Sequence, residues 1–86
     1  MTAEQAILAL LEERGPGRTI CPSEAAKRLA GPQGDWRAVM GVVHESVDAL
    51  HEKGEIALSR KGEPISRRRG AYRIARRRPG GPRTVS

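Results

Sequence analysis

RTICPSEAAKRLA, Arg18–Ala30, decides how the chain is read. Thr19-Ile20 is a β-branched pair, suited to a strand fragment. Pro22 suits a first helical turn, where a backbone N–H has no partner in any case. Glu24 favours the positive end of a helix dipole. Ala25, Ala26 and Leu29 then share one apolar side, which predicts a helix over Pro22–Ala30. Cys21 is a poor N-cap, which leaves room for the start to shift by one residue. A nine-residue helix of small side chains has little stability of its own. Its small residues let another helix approach closely, so its use is to hold a neighbour in place.

Upstream, Thr2 and Gln5 have the spacing of a capping box. Ala3, Ile7, Leu10, Leu11 and Arg14 follow at helical intervals, and Gly15-Pro16-Gly17 ends the helix. Downstream, Gly31-Pro32-Gln33-Gly34 breaks the chain and Asp35 caps a third helix. Trp36, Val39, Met40, Val43, Val47 and Leu50 form its apolar stripe, and Gly54 closes it after about five turns. The period then changes from 3.6 to 2. Ile56 and Leu58 alternate with Ala57 and Ser59, and Tyr72 and Ile74 alternate with Ala71, Arg73 and Ala75. Two antiparallel strands are predicted, joined by a long basic loop, Gly62–Gly70. Residues 77–86 carry Arg, Pro, Gly, Thr and Ser with only Val85 apolar, and read as a disordered basic tail.

The chain of 86 residues suffices for one domain with a modest core, built without phenylalanine. Its single cysteine excludes an internal disulfide and a multi-cysteine metal site. No apolar run approaches a membrane span and no signal-peptide pattern opens the chain, so a soluble, cytoplasmic protein is expected. The net charge of +6 is unevenly spread. Residues 1–54 hold six Lys/Arg against eight Asp/Glu, a net of −2; residues 55–86 hold ten against two, a net of +8. Such asymmetry points to a polyanionic partner, above all nucleic acid; a solvated basic tail is the plainer alternative.

The order helix, strand stub, helix, helix, strand, loop, strand resembles the winged-helix domain. It implies an α+β fold: a three-helix bundle with a helix-turn-helix plus a small antiparallel β-hairpin wing, over residues 1–76. Helix Pro22–Ala30 would prop the third helix, and Thr19-Ile20 would lie beside the hairpin. More closely, TICPSEAAKRL, DWRAVM, LHEKGEI, SRKGEP and GAYRI together resemble a small bacterial family, domain of unknown function 3253, over about residues 4–76. That resemblance implies the fold rather than an activity. It also implies a basic residue on the third helix where this chain carries His44.

In a helix-turn-helix the third helix reads base edges in the major groove. Arg37 could pair with guanine, and His44 could contact a base or phosphate. Glu45, Asp48 and Glu52 on the same outer face would repel phosphate. In the wing, Arg60, Lys61, Arg67, Arg68, Arg69 and Arg73 could contact phosphates or enter the minor groove. Five such contacts would give a log–log salt slope of about −4 to −5. Arg76, Arg77, Arg78 and Arg83 would add non-specific affinity. Trp36 and Tyr72 read as core residues rather than stacking platforms. Cys21 reads as a small packed residue, although a helix N-terminus can activate a thiol. His44 and His51 lack the spacing of a metal-binding histidine pair, and no metal is expected. No cofactor-binding or enzyme signature occurs. The leading expectation is therefore double-stranded DNA binding. The alternative is a protein-interaction module that uses the acidic outer face of the third helix.

Overall fold

The computed structural model describes residues 1–77. Helix α1 spans Ala3–Arg14, and the capping box forms as the sequence predicts. The Gln5 N–H donates to Thr2 Oγ1 at 3.1 Å, and the Thr2 N–H donates to Gln5 Oε1 at 2.9 Å. Strand β1, Thr19–Ile20, leads into helix α2, Pro22–Ala30. Cys21 precedes α2 without a side-chain capping bond, so Pro22 sets the start. Ala25 and Ala26 are wholly buried, which lets α2 lie close to its neighbours. Two ion pairs tie α2 to α1: Arg14 to Glu24, and Arg28 to Glu13 at 2.8 Å. Such solvent-facing pairs are screened by water and contribute little. Apolar packing therefore holds the helix.

The third helix differs from its prediction. It opens as a 3-10 turn, Trp36–Val39, and becomes α-helical only over Met40–Glu52, here α3. Asp35 caps the turn as expected, its carboxylate accepting from the Arg37 N–H at 3.2 Å. Before this turn the chain returns sharply from α2. At Gly34 a Cβ would run into the Ala30 carbonyl, so the chain doubles back against the end of α2. Trp36 is then held against the core before the α-helix begins.

The β region also differs. Strand β2 spans Ile56–Arg60 and strand β3 spans Glu63–Ile65, joined by a tight turn at Lys61-Gly62. Both turn residues have positive φ, +54° and +82°, as a two-residue hairpin of matching twist requires. The predicted long loop Gly62–Gly70 is thus part strand. Pro64 cannot donate to a ladder, but β3 is an edge strand, where a missing N–H is tolerated. Strand β4, Arg73–Arg76, pairs with the other side of β2. The result is a four-stranded antiparallel sheet in the order β1-β4-β2-β3. Three helices and this sheet make the fold α+β.

Sheet and helices close on one core that includes Ile7, Leu11, Ile20, Val43, Val47, Leu50, Ile56 and Ile74, each at most 2% exposed. Tyr72 joins it at 3% exposure, as predicted, whereas Trp36 is only half-buried at its edge. The described sheet continues one bond further, since the Arg77 N–H donates to the Glu55 carbonyl at 3.0 Å. The rest of the predicted tail, 78–86, lies outside the described residues. Among the described residues no helix is long and apolar enough to cross a membrane.

Candidate nucleic-acid interface

The eight candidate residues separate into three groups. The first is held inside the protein's own contacts. His44, on α3, shares a hydrogen bond of 2.7 Å between its Nδ1 and the Tyr72 hydroxyl. Burial pushes the Tyr72 phenol up to about 12, so near neutrality the hydroxyl keeps its proton. Burial, and then the Arg68 charge, hold His44 below its ordinary 6.5; the Asp48 carboxylate opposes them. His44 is thus largely neutral near pH 7 and supplies no charge toward phosphate.

Arg68 lies in the loop after β3 and reaches back to α3. Its Nε and Nη2 donate to the two carboxylate oxygens of Asp48 at 2.8 and 2.9 Å. This bidentate fork is the arrangement by which arginine grips a phosphate, here occupied by a carboxylate. The hydrogen bond from Arg68 holds Asp48 below the usual carboxylate range. Arg60, at the end of β2, packs its guanidinium against Gly70, where a Cβ would stand 2.7 Å from Nε. Gly70 also has φ +58°, so this close approach suits glycine twice over. The buried Arg60 Nε has no hydrogen-bond partner among the described residues.

The second group has partners but stays exposed. Arg73, on β4, donates through Nε to Thr19 Oγ1 at 3.1 Å and so ties β4 to β1. The Arg37 guanidinium stands 4.5 Å from the centre of the Trp36 ring, and Lys27 Nζ stands 5.0 Å from it. Two cations thus share one indole, each attracted by its electron-rich face.

The third group is Lys61, Arg67 and Arg69. All three are exposed. No ion pair or side-chain hydrogen bond engages them among the described residues. Lys61 occupies the β2–β3 turn. Arg67 and Arg69, with Pro64, Ile65 and Ser66, line an open groove of about 370 Å³ beside the edge strand. Arg67 also borders a second groove, about 400 Å³, whose other wall is Asp48, His51 and Glu52 on α3. The arginine therefore stands on a ridge between a basic surface and an acidic one.

A model of the family described as "Protein of unknown function (DUF3253)" matches residues 1–77. The chain belongs to that family. The match covers the whole described fold and agrees with the resemblance carried by the five sequence segments. No curated protein matches the chain.

Sequence reasoning missed Asp48 and Tyr72 as partners of Arg68 and His44. The pairs lie 20 and 28 residues apart, so no local spacing announces them. Among the described residues no three His, Cys, Asp or Glu side chains gather as a metal site.

Proposed function

We propose that this member of the family is a winged-helix protein that binds double-stranded DNA, its hairpin wing resting on the phosphate backbone. One observation carries the reading. Lys61, Arg67 and Arg69 lie exposed on one hairpin and its following loop, with neither an acidic partner nor a side-chain hydrogen bond among the described residues. Arginines left unpaired and adjacent are available to displace the counterions of a polyanion. The chain lacks an exposed aromatic platform, since Tyr72 is buried and Trp36 is half-buried beneath two cations. Stacking on single strands is therefore disfavoured, and a duplex backbone is the better match.

Fluorescence anisotropy of a labelled duplex at low salt tests the proposal: saturable binding in the micromolar range supports it. A flat titration refutes it. A second reading, a protein-interaction module without DNA binding, is favoured by Val42, which is 51% exposed on α3 beside the exposed Gly41 and Glu45.

A further inference from the structure

We infer that, among the described residues, the duplex is held by the wing, with α3 outside the groove, and that binding is consequently indifferent to base sequence. The inference rests on the proposed DNA binding and assigns it a surface.

The outward residues of α3 argue first. Gly41, Val42, Glu45, Asp48 and Glu52 are exposed, and none of them is a cation. A helix entering the major groove passes between two phosphate rows, and Glu45 and Glu52, which no ion pair engages among the described residues, would be repelled there. The neighbouring basic groups add no free positive charge to this face: Arg68 is gripped by Asp48, and His44 is bonded to Tyr72 and kept largely neutral by its burial. Arg37, the second residue of the preceding turn, lies over the Trp36 ring.

The wing presents the opposite chemistry. Between Arg60 and Gly70 the only acidic residue is Glu63, against Arg60, Lys61, Arg67, Arg68 and Arg69. The groove bounded by Ser66, Arg67 and Arg69 offers a hydroxyl and two guanidinium groups on one side of the hairpin. Those groups suit phosphate oxygens. The Asp48–Arg68 fork fastens the loop to α3 between Arg67 and Arg69, so it sets where these two arginines start. Backbone contacts position a protein on a duplex but carry no base identity.

The test uses the full chain and two duplexes of equal composition and different base order. Three proteins are compared: the parent, Arg67→Ala/Arg69→Ala, and Val42→Glu. All changed side chains are exposed, and thermal melts matching the parent establish that the fold is kept. The expected result is that the two duplexes bind within about threefold of each other, as phosphate-only contact requires. Val42→Glu then changes affinity less than about twofold, while the arginine pair loses about two units of salt slope and at least about tenfold in affinity at low salt. Loss of binding on Val42→Glu, a large preference for one duplex, or an unaffected arginine pair overturns the wing assignment and leaves DNA binding standing. No binding by the parent overturns both.

Discussion

Replacing Tyr72 by phenylalanine isolates one hydrogen bond at the junction of α3 and the loop before β4. The ring is 3% exposed and stays in the core, so the apolar packing is conserved. What is lost is the hydroxyl that meets His44 Nδ1 at 2.7 Å. A neutral intramolecular hydrogen bond contributes about 0.5–1.5 kcal/mol net. His44 is only partly buried, so water can reach some of its surface and moderate the penalty for the orphaned nitrogen. A loss of about 1 kcal/mol is expected. For a domain of this size it lowers Tm by about 4–8 °C. Urea denaturation with an unchanged slope, together with a calorimetric melt, measures it. The double substitution with His44→Ala should fall short of the sum of the single effects, because the bond can be lost only once. A Tyr72→Phe protein as stable as the parent, or strictly additive effects, would refute the claim that this bond fastens the loop to the helix.

Two glycines give opposite outcomes. Gly41→Ala should stabilise by up to about 1 kcal/mol, because a Cβ there meets nothing within 4 Å and the backbone is helical. Gly62→Ala should destabilise by about 1–2 kcal/mol, because φ is +82° in the hairpin turn. Chemical denaturation reads both. Arg68→Ala should raise the His44 titration midpoint seen by NMR, since it removes a nearby positive charge and leaves Asp48 unneutralised beside the ring. In the parent, the native ring titrates below the unfolded value of 6.5, so the unfolded chain binds more protons between those two midpoints. Stability attributable to His44 is then intact above about pH 6.5 and declines as the pH falls through the lower native midpoint. The same scan in His44→Ala should lack that decline.

The fold was legible wherever the signal was local. Thr2 with Gln5, Pro22 at a first turn, and Asp35 before Trp36 act within a few residues, and each appears where its chemistry places it. The alternation of Ile56 and Leu58 marked β2 for the same reason. Strand β3 was missed because Pro64 denies it a ladder donor and because Lys61 enters positive φ, which a side chain seldom does. Only the partner strand makes those choices acceptable, and a partner is tertiary information. The site was legible as a charge excess but not as a surface. A count of arginines cannot tell Arg68, forked onto Asp48, from Arg67, which faces water. It also cannot see that Tyr72 engages His44 across 28 residues. Of the wing cations, Lys61, Arg67 and Arg69 are the ones left exposed and without a partner among the described residues, and the proposed contact narrows to them.

That narrowing sets the decisive measurement, the salt dependence of duplex binding by the parent chain. With three phosphates neutralised the log–log slope is about −3, and cations of the C-terminal segment can only steepen it. Anisotropy titrations at about 50 and about 200 mM salt should then show affinity falling at least about 40-fold. Binding that ignores salt, or no binding at the lower concentration, contradicts a protein whose wing arginines meet the phosphates of DNA.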